Sequence, residues 1–200
     1  MFSNFTTGYH DNKFVQHRLS DSLVNTLRWW HEHLSDPLAY RQLHPIGPLH
    51  DPHIFVDAST SWGIGIIIGH FWHAFRLIPD WKIPGHDICW LEAVALELVV
   101  YFLRQLLFAN THLIIHSDNN GAIGAHSKHR SPSIPINLCV HRTYSVLVEH
   151  LIQPKFVYIE SKLNPADPIL CGESGSPSHT FITRHFEVPP ELQSFFLPDQ

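Results

Sequence analysis

Basic side chains are few in this sequence: 13 Lys and Arg stand against 18 Asp and Glu, a formal net charge of −5 with histidine neutral. That excludes an all-over basic coat for nucleic acid and leaves room only for a local basic groove. Cysteine is scarce too. Cys89, Cys139 and Cys171 lie far apart and form no CxxC pair, so neither a zinc knuckle nor a disulfide framework is supported. Reduced thiols are expected, as in an intracellular protein of the cytoplasm or nucleus. The first residues hold no basic segment followed by an apolar one, so no secretory signal is expected. The stretch from Ala58 to Phe75 lacks Asp, Glu, Lys and Arg, but Ser59, Thr60, Ser61 and a turn-like Gly69-His70 interrupt it. A strand–turn–strand is expected there, with no membrane span. Histidine is the residue in excess, at 18, yet no HExxH occurs, and His31 and His33 fall on different faces of a helix. Zinc is therefore not expected.

The composition that remains, 44% hydrophobic and 16% charged, is that of a globular chain able to bury a core. Leu23, Leu27, Trp30 and Leu34 predict a helix over 21–34, capped by Asp21 or Ser22, and the prolines of 36–52 predict a linker. Three short β-rich runs follow, His53 to Asp57, Gly63 to Gly69 and Phe71 to Leu77, spaced as an antiparallel meander. Leu91, Val94, Ala95, Leu98, Val99 and Phe102 predict an amphipathic helix over about 89–108. Leu113 to Asp118 predicts a fourth strand, 119–126 a short helix, and 137–153 a longer one after a basic, proline-containing loop at 128–135. A last strand is expected at 156–159, and a loosely ordered tail at 173–200. The order βββ-α-β-α-α-β predicts an α/β fold with a mixed five-stranded sheet flanked by helices. Strands 1–3 would be antiparallel, strands 4 and 5 parallel to the first, and the first would lie beside the fourth.

Four carboxylates have positions that suit a metal site. Asp57 ends an apolar strand, and Asp118 follows another. If those strands are parallel neighbours, both acids reach the same end of the sheet, where α/β ligands bind. Glu92 borders the buried face of the first helix after the meander, whereas Glu97 lies about 140° around from it. Asp167 follows Asn164-Pro165-Ala166, a cap–N1–N2 series. Several hard oxygen ligands on one point are what two-metal phosphodiester hydrolysis needs. Each acid also has a structural explanation: a strand end for Asp57, a turn or cap for Asp118, and helix-start charges for Glu92 and Asp167.

The segments IFVDAS with GIGIIIG, then WLEAVALELV, IIHSDNNGAI and VYIESKLNPADPIL, in that order, resemble ribonuclease H domains of retroelement polyproteins, nearest those of DIRS-like elements. The resemblance spans about residues 53–172, and the upstream LRWWHEHL resembles the segment that joins reverse transcriptase to ribonuclease H. It implies a ribonuclease H-like fold after a connection-like extension at 1–52. It also implies Asp57, Glu92, Asp118 and Asp167 as catalytic ligands of two Mg²⁺ ions, with Mn²⁺ as a substitute. The implied reaction is endonucleolytic hydrolysis of the RNA strand of RNA–DNA hybrids, with a reverse transcriptase domain as a partner in trans. Ser59 and Asn119 are candidates for contacts to RNA 2′-hydroxyls or phosphate. The glutamate is second in order, which separates the pattern from integrases and DDE transposases, whose essential glutamate comes late.

Two features depart from the family. The link SKLNPA holds no histidine where cellular members carry a mobile one, and the basic protrusion is reduced to a loop with Lys128, His129 and Arg130. Lys128, Arg130, Arg142, Lys155 and Lys162 face only Glu149 and Glu160 over residues 128–162, a net +3 from five cations and two anions. That is a modest basic face for phosphates. The rival expectation is a catalytically inactive, nucleic-acid-binding remnant of the same fold.

Overall fold

A computed structural model describes residues 19–35, 47–171, 179–182 and 186–198. The chain divides into two units, 1–43 and 44–200. In the first, α1 (Asp21–Ser35) leaves Leu27, Trp30 and Leu34 exposed. Its first turn is capped from one residue earlier than expected, with Ser20 Oγ accepting from Leu23 N at 3.3 Å. Most of the expected linker, 36–46, lies outside the described residues.

The second unit is built on one mixed sheet. Its strands are β1 (His50–Ala58), β2 (Gly63–Ile68), β3 (Phe71–Arg76), β4 (Thr111–Ser117), β5 (Ile152–Tyr158) and β6 (Thr180–Phe181), in the order β5-β4-β1-β2-β3-β6. β1 pairs antiparallel with β2 and parallel with β4, β2 pairs antiparallel with β3, and β5 runs parallel to β4. The sheet therefore has six strands where the sequence predicts five. The sixth is a two-residue edge strand from the tail, parallel to β3, too short for any periodicity to show.

Among the described residues four helices follow β3: α2 (Ile88–Gln105), α3 (Asn120–Ser127), α4 (Ile134–Glu149) and α5 (Pro190–Gln193). α2 is the central one. Its residues from Trp90 to Val100 are all buried, against β1, β2 and α4, so it is apolar all round, as a helix inside a core must be. Each fully buried Leu or Val there contributes about 1.5–3 kcal/mol over exposure. Two buried exceptions are Glu92 and Glu97. Glu97, fully buried, accepts two bonds from Arg142 of α4, at 2.6 and 2.8 Å. Burial pushes the Glu97 carboxyl up against the pull of that guanidinium.

Several boundaries move for local reasons. β1 begins at His50, inside the expected linker, and a register shift between His50 and Ile54 accommodates Pro52 and the positive φ of His53. α4 begins three residues early because Pro135 falls in its first turn, where a missing N–H costs nothing. It ends at Glu149, and Leu151 at φ 54° turns the chain into β5. β5 tolerates Pro154 because it is an edge strand.

The described part of the tail is packed, not loose. Phe186 stacks on Phe102 of α2 with centroids 4.5 Å apart, and Leu192 and Phe196 are buried in the same core. No helix among the described residues is long and apolar enough to cross a membrane. Cys89 is exposed and Cys139 buried, both as free thiols.

Candidate metal centre

Three of the four acids meet. Asp57 of β1, Glu92 of α2 and Asp118 after β4 each bring a carboxylate oxygen to within 4.8 Å of the others. The parallel pairing of β1 with β4 matches Val56 with Ser117, so the residues that follow them, Asp57 and Asp118, emerge side by side. α2 returns across the sheet and lowers Glu92 onto them. These residues are separated by 35 and 26 positions in the chain, so only the tertiary fold unites them.

The helix-start explanation fails for Glu92 and the cap explanation fails for Asp118. Asp87 caps α2, its side chain accepting from Trp90 N, and Glu92 sits in the second turn, beyond the reach of the helix terminus. Asn119, not Asp118, caps α3, its Oδ1 accepting from Ala122 N at 2.9 Å. Asp57 is buried within β1 and takes a bond from Ala58 N at 2.8 Å. Glu92 Oε2 and Asp118 Oδ1 are buried and have no hydrogen-bond partner in the protein. Oxygens in that condition cost free energy unless something binds them.

Electrostatics point the same way. Burial, then the Asp118 charge, pushes the Asp57 carboxyl up to about 7 from 3.8. Burial, then Asp57 and Asp118, pushes Glu92 up to about 9 from 4.5. Among the described residues no ion pair reaches any of the three. Metal-free, the group must hold protons to limit its own repulsion. A divalent cation relieves both the repulsion and the missing bonds. All three donors are hard carboxylate oxygens, with no sulfur or imidazole among them, which suits Mg²⁺, Mn²⁺ or Ca²⁺ and not zinc.

Asp167 stands apart. It opens a 3-10 turn (Asp167–Cys171), is exposed, and lies outside the group of three, yet its charge still helps to raise Asp57. The turn is 3-10 where the sequence suggests the start of a helix with Asp167 at its third position. Asn164 Oδ1 does accept from Ala166 N, at 3.2 Å. Ser59 and Asn119 also stay out of the group of three. Ser59 Oγ bonds Ser61 Oγ at 2.8 Å in the turn after β1, and the Asn119 carbonyl oxygen is engaged in capping α3.

Two residues of this region carry no chemistry and escape a search for acids. Gly65 faces Asp57 across the β1–β2 pair. Asn164 is buried at 3% exposure, and its Nδ2 donates to Val56 O at 3.1 Å. The signal for Asn164 was an Asn-Pro pair next to an acid, which reads equally well as an ordinary cap. Two residues beyond Asp118 an open groove of about 650 Å³ begins, lined by Asn120, Gly121, Gly124, Lys128 and Arg130. No family model and no curated protein matches this chain.

Proposed function

We propose that residues 50–171 are a divalent-metal-dependent nuclease domain of ribonuclease H-like fold that hydrolyses the RNA strand of RNA–DNA hybrids. The observation that carries the reading is the convergence of Asp57, Glu92 and Asp118, from three elements, with two buried carboxylate oxygens left without protein partners. The choice of an RNA–DNA hybrid rests on the ordered motifs that resemble retroelement ribonucleases H. The strand order, with the acids at the end of a parallel β1–β4 pair, is compatible with that fold.

Asp57, Glu92 and Asp118 would hold the metal, and Asp167 at the rim would complete the set. When bound, Mg²⁺ supplies Lewis acidity for the phosphoryl oxygens and lowers the pKa of water at the site. The chain itself supplies the rest. Its buried carboxylates fix the site on rigid strands and a helix, and the apolar core beneath excludes water from the far side. The groove along α3 offers Lys128 and Arg130 to backbone phosphates, and the absence of side chains at Gly121 and Gly124 lets a strand approach closely. Two cations are a weak grip, and a reverse transcriptase domain in trans would add affinity.

The test is cleavage of end-labelled RNA in a hybrid with Mg²⁺. Wild-type protein should cut internally, and Asp118→Asn should not. The link between β5 and Asp167 carries no histidine, which favours a second reading, a binding domain without turnover. Wild-type protein that binds the hybrid but leaves it intact at high enzyme and Mg²⁺ selects that reading.

A further inference from the structure

The fourth acid, Asp167, is held near the other three by contacts that no metal-ligand search reveals. Its backbone N–H donates to Asn164 O at 3.1 Å. Asn164 in turn uses both ends of its buried amide: Nδ2 donates to the carbonyl of Val56, the residue before Asp57, and Oδ1 accepts from Ala166 N. The 166–169 segment then sits directly on Gly65. A Cβ at Gly65 would lie 3.0 Å from Ala166 O and 3.2 Å from Ile169 Cβ, and Ala166 and Ile169 are essentially inaccessible to solvent. Gly65 is the cross-strand partner of Asp57. One amide and one missing side chain therefore tie the Asp167 turn to Val56, the residue before Asp57, and to Gly65, its cross-strand partner.

We infer that Asn164 is a positioning residue that, with Gly65, sets Asp167 at the rim of the carboxylate group and so governs the second of the two cations that the resemblance implies, while Asp57, Glu92 and Asp118 hold the first. The inference rests on the metal-centre reading above. The three-acid group takes its ligand oxygens from β1, α2 and the end of β4, none from the 160–171 segment, whereas Asp167, exposed and outside that group, depends on its backbone for its place. Partners that orient a ligand without touching the metal commonly carry a large share of its affinity.

The experiment is titration of the purified 200-residue chain with Mn²⁺, with free ion followed by electron paramagnetic resonance and folding checked by thermal unfolding. Wild-type protein should take two ions. Asn164→Ala removes the donor to Val56 O and the acceptor for Ala166 N, and should keep the tighter ion while weakening the second by about tenfold or more. Asp167→Asn should do the same without disturbing the turn. Gly65→Ala, which pushes the 166–169 segment outward by a few tenths of an ångström while retaining Asn164, should weaken the second ion less. It serves if Asn164→Ala fails to fold. Folded Asn164→Ala or Gly65→Ala protein that binds both ions as wild type does overturns the inference and leaves the metal centre standing. Loss of both ions together from a folded variant also overturns it, because the two positions would then not be separable. Wild-type protein that binds no Mn²⁺ overturns the metal centre itself and the inference with it.

Discussion

Asp57→Asn should make the metal-free protein more stable at alkaline pH and remove most of its response to Mg²⁺. Burial and the neighbouring Asp118 hold Asp57 at about 7 in the fold, against 3.8 for an unperturbed aspartate. Between those values the folded chain keeps a proton that the unfolded chain has lost. Stability therefore falls as pH rises: the penalty is absent below about pH 4 and complete above about pH 7. Each pKa unit corresponds to about 1.4 kcal/mol, so three units set a ceiling of about 4 kcal/mol. Glu92 and Asp118 share the repulsion and can take up protons in its place, so about 2–4 kcal/mol is expected from the single change. The amide retains an oxygen to accept the Ala58 N–H, so no hydrogen bond need be lost. The assay is urea unfolding in chelator at about pH 5 and about pH 8, with the variant's advantage about twice as large or more at the higher value. A shallower slope should persist in the variant because Glu92, held at about 9, titrates over a higher window. Mg²⁺ should then stabilise the wild type, by about 2.7 kcal/mol at a hundred times its Kd, and the variant far less. A variant less stable than wild type in chelator at about pH 8, or one with the same advantage at both pH values, would refute the reasoning.

Mn²⁺ binding should tighten as pH rises from about 6 to about 8 and should release protons, because Asp57 and Glu92 must ionise to act as ligands; calorimetry in buffers of different ionisation enthalpy measures this, and proton-neutral binding contradicts it. Arg142→Ala strands the fully buried Glu97 and should cost about 3–5 kcal/mol in chemical denaturation, whereas replacing both partners with methionine should recover most of that; a single-variant loss under about 1 kcal/mol would show that the pair is not buried as described. Phe186→Ala should cost about 3–5 kcal/mol if the tail is part of the core, and almost nothing if it is loose.

The parts of this fold legible in the sequence were those with a period. α2 announced itself through Leu91, Val94, Ala95, Leu98 and Val99, and the meander through its β-branched runs between glycines. Elements without a period were not legible. β6 is two residues long, and the aromatic residues at 186, 195 and 196 are too sparse to signal packing, although they seal the core beside β3. Proline obscures the starts of α4 and β5, because Pro135 and Pro154 occupy the few positions, a first helical turn and an edge strand, where its missing N–H is harmless.

The acids of the site were visible only as an ordered set. Taken singly, Asp118 beside Asn119 looked like a cap, and the structure assigns that task to Asn119 while leaving an Asp118 oxygen buried without a partner. Glu92 looked like a helix-start charge, and Asp87 does that work instead. Asn164 and Gly65 were invisible because their importance lies in distances of about 3 Å to segments roughly a hundred residues away, which no local pattern encodes.

Anomalous diffraction from crystals of this chain soaked in Mn²⁺ is the most direct test of the metal centre. The expected result is a strong peak bounded by carboxylate oxygens of Asp57, Glu92 and Asp118, with a weaker second peak on the Asp167 side. A map with no peak among those three residues at saturating Mn²⁺, or with Mn²⁺ bound only elsewhere, would contradict it.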